Sequence, residues 1–308
     1  MVERKNISEI SGLWEQEKRQ FVKKSTFAAY SLIVDTHILP AFGSLYEVNE
    51  TLAQEFVLRK LEGGLSQKTI KDILIVLRMI LKYGTKHNYC VYQPFDIIFP
   101  TEREQQKLEV LSVFNQRKIM KYLEDNFTFK NLGIFICLNT GMRIGEICAL
   151  TWGDIDVNAG LIYIRKTIQR IYVKGKDTNH TELLIDSPKT ATSMREIPIT
   201  KDLLNILKPL KKVVNSNYFI LTNDSNPTEP RVYRNYYKRL MKELDIPPIK
   251  FHGLRHSFAT RCIESNCDYK TVSVILGHSS ISTTLNLYVH PNNEQKKKCI
   301  DKMLKLLK

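Results

Sequence analysis

Runs with strand character are confined to one stretch of this chain: LIYI at 161–164, TIQRIYV at 167–173, ELLI at 182–185 and REIPI at 195–199. β-branched residues dominate them. Elsewhere the apolar residues recur at helical spacing. The clearest case is 66–87, SQKTIKDILIVLRMILKYGTKH, where Ile70, Ile73, Leu74, Leu77, Ile80 and Leu81 form one stripe behind Ser66 as N-cap. The expectation is a mainly α chain carrying a small antiparallel β-sheet in its second part.

At 308 residues the chain is long enough for about two domains, each with its own core. Helices are expected over 8–20, over 26–38 with a stop near Pro40 and Gly43, and from Thr51 to Gly63 and Gly64, with Thr51 and Gln54 as a capping box. These and the 66–87 helix make residues 1–90 a helical domain. Between 88 and 111 the pattern is lost: Pro94 and Pro100 are followed by the polar run TEREQQK, which makes 91–110 the linker to a second domain at 111–290. Further helices are expected near 132–139, 201–212, 231–244, 254–265, 269–276 and 282–290. Residues 291–308 read as a terminal helix with Ile300, Met303, Leu304 and Leu307 on one face.

Hydrophobic residues at 43% and charged residues at 25% are the balance of a globular protein rather than a disordered one. The net charge of +14 favours a polyanionic partner. Residues 1–100 hold 13 Lys and Arg against 11 Asp and Glu, so +2; the remaining 33 against 21 give +12 to residues 101–308. Charge alone does not separate DNA from RNA or a membrane surface. Six scattered cysteines without a C-x-x-C pair read as reduced residues of a cytoplasmic protein. The charged N-terminus is not a targeting peptide, and no apolar run approaches the roughly 20 residues that cross a bilayer, so no membrane partner is expected.

Chemistry is carried by separated segments: Arg143 in TGMRIGEICAL, His252 and Arg255 in FHGLRHSFATR, then His278 and Tyr288 in LGHSSISTTLNLYVH. A fourth, SPKTATSMREIPI, contains Lys189. In this order they resemble the boxes of the tyrosine recombinase or phage integrase family, with SPKTATSMREIPI similar to its lysine-bearing β-hairpin. TFAAYSLIVDTHILPAFG and the helices after it look like that family's N-terminal core-binding domain. The resemblance implies a two-domain DNA clamp whose catalytic residues are Arg143, Lys189, His252, Arg255, His278 and Tyr288.

The residue types suit that chemistry. A phosphodiester under attack builds charge on its non-bridging oxygens, which guanidinium forks bind bidentately. Imidazoles donate to the same oxygens or accept a proton, and a lysine protonates a departing alkoxide. A phenol becomes a usable nucleophile when cations surround it. No metal or other cofactor is needed. His252 and His256 do stand four apart, as zinc ligands on a helix do, but Gly253 follows where a metalloprotease needs Glu and no third ligand motif is evident. His256 is expected to pack or hydrogen-bond.

Each position also has a plainer explanation. Arg143 could be a structural arginine paired with Glu146, His278 a helix-end residue, and Tyr288 a core tyrosine among 14. Lys174 and Lys176 compete with Lys189; the R-x-I-P continuation from Arg195 to Pro198 favours Lys189.

What the resemblance implies is site-specific recombination through a 3′-phosphotyrosine, on double-stranded DNA sites, by a homotetramer whose terminal helices dock in trans, with directionality or bending factors as accessory partners. The K-T-x-x-S-x-R-x-I-P form and the long segment 165–187 resemble integrases of conjugative transposons and phages. A Xer-like resolvase, a type IB topoisomerase, a metal-dependent nuclease and a silent DNA-binding regulator are the rivals. Only about twenty residues precede the core-binding helices, so a separate arm-binding domain is not expected.

Overall fold

The computed structural model describes residues 4–101, 108–175, 178–188, 190–288 and 293–305. They form two compact units, Met1–Gln105 with Arg170–Leu184, and Gln106–Gln169 with Ile185–Lys308.

The first unit is helical: α1 (Ile7–Lys18), α2 (Lys24–Ile33), α3 (Leu39–Phe42), α4 (Glu50–Glu62) and α5 (Gln67–Lys86). Asn6 and Glu9 close a reciprocal capping box on α1, satisfying two otherwise orphaned amides. Ser66 caps α5, and its stripe Ile70, Ile73, Leu74, Leu77, Ile80 and Leu81 is buried against Ile10, Trp14, Val34, Ile38 and Phe42. The run beginning with α2 does end at Gly43, the C-cap of α3, as expected, but it passes through Pro40: a π turn, Val34–Ile38, precedes α3, which carries Pro40 in its first turn, where no amide is required. The cap of α4 is Asn49, not Thr51; Gln54 instead bonds both backbone groups of Ile98.

Segment 170–184 joins this unit through polar contacts. The Tyr172 hydroxyl donates to Asp35 Oδ2 at 2.6 Å, and Lys174 Nζ reaches Asp35 Oδ1 at 2.8 Å and Glu15 Oε2 at 3.1 Å.

The second unit begins with α6 (Val113–Asp125), which the sequence reading did not anticipate, α7 (Phe129–Thr140) and α8 (Ile144–Ala149). α7 is buried almost all round, with Ile134, Phe135, Ile136 and Cys137 at 2% exposure or less. Burying each of the isoleucine and phenylalanine side chains contributes about 1.5–3 kcal/mol, so α7 lies at the centre of the unit's core. Among the described residues the strands form two small sheets rather than the expected one. β1 (Ile155–Asp156), β2 (Leu161–Ile164) and β5 (Arg195–Pro198) make an antiparallel sheet in the order β1-β2-β5, in which Ile162 faces Ile155 and Ile197. β3 (Thr167–Val173) and β4 (His180–Asp186) pair separately, most of both lying in the segment 170–184 that belongs to the first unit. Then come α9 (Lys201–Lys211), α10 (Pro230–Glu243), α11 (His252–Glu264), α12 (Tyr269–Leu276), α13 (Ile281–Tyr288) and α14 (Asn293–Lys305). Among the described residues no helix is long and apolar enough to cross a membrane.

Candidate active site

Two helix ends create the site. α7 and α12 both stop at a glycine in the left-handed region, Gly141 and Gly277, each at φ 65°. A side chain is strained there, and at Gly141 a Cβ would also stand 2.6 Å from Phe258. The last carbonyls of such helices lack intrahelical donors and carry the negative end of the dipole. Cations take them up. Arg255, fully buried on α11, donates to Gly141 O and Leu276 O, both at 2.8 Å. Arg143 donates to Gly277 O at 3.1 Å.

Arg143 is placed from its own side by Glu146, which accepts its backbone amide at 2.9 Å and its guanidinium at 2.8 Å. The same carboxylate takes Arg195 of β5 through both oxygens. Burial would raise the Glu146 pKa, but Arg195 and then Arg143 outweigh it and hold the group below its ordinary value. It is a fixed anion orienting two arginines.

His278 follows Gly277, and its Nδ1 lies 2.8 Å from the buried Thr284 hydroxyl, which fixes the ring. Burial, followed by Arg255, Arg143 and Arg195, pushes His278 down to about 4. His252, first residue of α11, is shifted the same way by burial, His256 and the two arginines. The outer edge of its ring is exposed. Both imidazoles are therefore neutral at pH 7. A bound phosphate would draw them toward the charged form.

Tyr288, the last residue of α13, is 7% exposed, and its hydroxyl lies 2.7 Å from His256 Nδ1. Burial raises its pKa, while Arg255 and Arg143 act to lower it. A cleft of about 420 Å³ opens over Arg143 and His278, lined also by Thr167, Pro188, Thr190 and Thr283. A larger hollow of about 1030 Å³ lies along α10 and is lined by Arg231, Arg234, Lys238, Arg239, Lys242 and Lys250. Of the five described residues expected to be catalytic, none lines this hollow, whereas Arg143 and His278 line the smaller cleft.

Five of those six, Arg143, His252, Arg255, His278 and Tyr288, thus share one centre. Lys189 and the competing Lys176 lie outside the described residues, as does His290. Lys174 is bound to Glu15 and Asp35 in the first unit. The sequence reading gave no site role to Arg195 or Thr284, and to His256 only packing or a hydrogen bond. Their partners Glu146, His278 and Tyr288 are 49, 6 and 32 residues away. The signal in the sequence was the i,i+4 relation of His256 to His252, which puts both on one helix face.

Residues 109–295 match the family model described as the phage integrase family, and residues 6–46 match the phage integrase N-terminal SAM-like domain. The ICEBs1 integrase of Bacillus subtilis (strain 168) is 25% identical over 299 residues, covering 92% of this chain and 79% of that protein. A tyrosine recombinase XerC-like protein of Caldanaerobacter subterraneus subsp. tengcongensis is 27% identical over 268 residues, covering 80% and 68%. In three dimensions the chain is similar to the Tn1549 transposon integrase in complex with a circular intermediate DNA, with a TM-score of 0.75 at 23% identity, covering 97% of this chain and 99% of that one. The family match spans the whole arginine, histidine and tyrosine centre, and this chain belongs to the phage integrase family, the tyrosine recombinases, enzymes that cleave and rejoin DNA.

Proposed function

We propose that the chain integrates and excises a mobile DNA element, cutting duplex DNA through Tyr288 and holding the cut strand as a 3′-phosphotyrosine. The observation that carries this reading is the cluster in which His252 and His278 lie within electrostatic reach of Arg143 and Arg255, while the same two arginines act on the buried Tyr288. Arg143 and Arg255 bind the non-bridging oxygens of the scissile phosphate, and His252 and His278 donate to them. Tyr288 attacks phosphorus, the 5′-oxygen leaves, and a 5′-hydroxyl of the partner strand later reverses the step. The bond energy stays in the phosphotyrosine, so ATP has no part to play.

Lys189 is the general acid in this scheme. Its neighbours Pro188 and Thr190 line the cleft, and its competitor Lys174 is taken up by two carboxylates. Duplex DNA is the partner, and the basic row on α10 supports phosphate contacts from the second unit. The helical unit 1–90 is the core-binding domain, 91–110 the linker and 111–290 the catalytic domain. The enzyme works as a homotetramer in the cytoplasm, with directionality or bending factors setting the outcome. In support of assembly through α14, Ile300, Met303 and Leu304 are exposed on it.

A mobile-element role is favoured over chromosome resolution by the likeness to the ICEBs1 integrase. The test is a plasmid pair carrying the two junction sequences that flank the gene. Joined products are expected, and in a chelator as well; relaxation without joining would mark a topoisomerase.

A further inference from the structure

The scheme above leaves the phenol proton of Tyr288 without a destination. At an ordinary pKa of about 10, only about one phenol in 10³ is ionised at pH 7, and burial of Tyr288 raises its pKa. Attack at neutral pH therefore needs a base on the hydroxyl itself. His256 Nδ1 is 2.7 Å from that oxygen, with ring centroids 5.7 Å apart. Among the described residues it is the sole hydrogen-bond partner of the Tyr288 hydroxyl. If Nδ1 carried a hydrogen, the buried phenol proton would have no acceptor there. The tautomer that satisfies both groups bears its hydrogen on Nε2 and accepts at Nδ1.

We infer that His256 is a catalytic residue, the base that takes the Tyr288 proton during cleavage and returns it during ligation. This rests on Tyr288 being the nucleophile. As the tyrosine oxygen bonds to phosphorus, its proton passes to Nδ1 and the P–O5′ bond breaks; the 5′-oxygen departs with the proton of the general acid. In ligation the 5′-hydroxyl gives its proton back to that group, its oxygen bonds to phosphorus, the P–O bond to tyrosine breaks, and the imidazolium reprotonates the phenolate. Both half-reactions balance without an added reactant.

The surroundings suit a neutral base. His252 and Arg255 flank His256 on its own helix, Glu109 approaches from the segment before α6, and Tyr288 faces it from α13. Burial and then Arg255 lower the His256 pKa, against a weaker opposite pull from Glu109. Arg255 and Arg143 act in the same sense, their charges easing ionisation of Tyr288. On α7, Cys137 is fully buried and stays a thiol. Division of labour on α11 follows: Arg255 turns to the helix ends, and His256, one residue on, turns to Tyr288.

The test is the single-turnover rate of covalent adduct formation by the full chain, measured between pH 5.5 and 9.5. The probe is a nicked duplex selected from a random-sequence pool for adduct formation with wild type. Wild type should be flat above pH 7. His256→Ala should be slower at pH 7 by roughly 10² to 10⁴ and should gain about tenfold per pH unit as free hydroxide replaces the base. His256→Asn preserves an acceptor near Nδ1 but cannot take a proton, so it should show the same slope while holding the fold. Variants with the wild-type profile, whether equally fast, faster or uniformly slower, overturn the inference and leave Tyr288 in place. An asparagine variant with the wild-type rate at pH 7 does the same. Failure of wild type to form an adduct with any duplex overturns both readings.

Discussion

Glu146 and Arg195 form a two-point ion pair in the interior, NH1 to Oε1 at 3.0 Å and NH2 to Oε2 at 2.9 Å, with 3% and 4% of the side chains exposed. Removing one partner leaves the other charge buried, typically at a cost of about 3–5 kcal/mol. Arg195→Ala should therefore lower the urea midpoint strongly. Arg143, whose side chain is 35% exposed, should tolerate alanine with little loss of stability while losing adduct formation. Equal midpoints for the two variants would contradict the division between positioning and chemistry.

Acid should weaken the second unit before its carboxylates titrate. His278 binds a proton at about pH 6.5 when unfolded but only at about 4 when folded. Between those values the unfolded state holds more protons, so stability falls as pH falls through that window. His252 and His256 shift in the same direction. Urea midpoints measured from pH 7 to pH 5 should decline, and His278→Asn should make the decline shallower. A variant slope as steep as that of wild type would count against the buried, neutral imidazole.

Much of this was legible in sequence because it is local or periodic. The α5 stripe follows from spacing, its Ser66 cap from residue type, and strands β2 and β3 from their β-branched runs. What was lost depends on contacts across the chain. Gln54 looked like a capping residue because it lies three from Thr51, yet its side chain serves Ile98, 44 residues away. α6 buries only Ile119 and Leu123, too thin a stripe to stand out. Lys174 and Asp35 are 139 residues apart, and nothing in either neighbourhood announces the other. The site was legible as residue types in order; which arginine meets which helix end was not.

Binding should be governed by phosphate contacts from residues 101–308, which carry +12. The logarithm of affinity should fall linearly and steeply with the logarithm of salt concentration. Charge reversal at Arg234 and Lys238, both lining the basic hollow on α10, should reduce the slope. Titration by fluorescence anisotropy checks this, and salt-independent binding by residues 101–308 would refute it.

Deleting residues 293–308 should leave binding to a single site intact and impair synapsis and recombination. Exposed Ile300, Met303 and Leu304 on α14 motivate this. Native gels of the DNA complexes distinguish the outcomes, and undiminished recombination by the truncated chain would end the idea of docking in trans.

A bridging 5′-sulfur tests Lys189 as general acid. Lys189→Ala should cleave ordinary DNA slower by roughly 10² to 10⁴, and the sulfur substrate should restore it, because a thiolate of pKa ~8.5 needs no proton donor. Lys174→Ala should cleave at the normal rate, since its ammonium is held by Asp35 and Glu15. Sulfur rescue of Lys174→Ala instead would transfer the role.

Cleavage depends most directly on the oxygen of Tyr288. On a nicked duplex that traps wild type as a covalent complex, Tyr288→Phe removes the attacking atom and hardly alters shape. It should bind the duplex with unchanged affinity and form no adduct, on either the oxygen or the 5′-sulfur substrate, while mass spectrometry of the wild-type complex places the phosphodiester on residue 288. A protein–DNA adduct formed by Tyr288→Phe, or a wild-type adduct mapped to another of the 14 tyrosines, would contradict it.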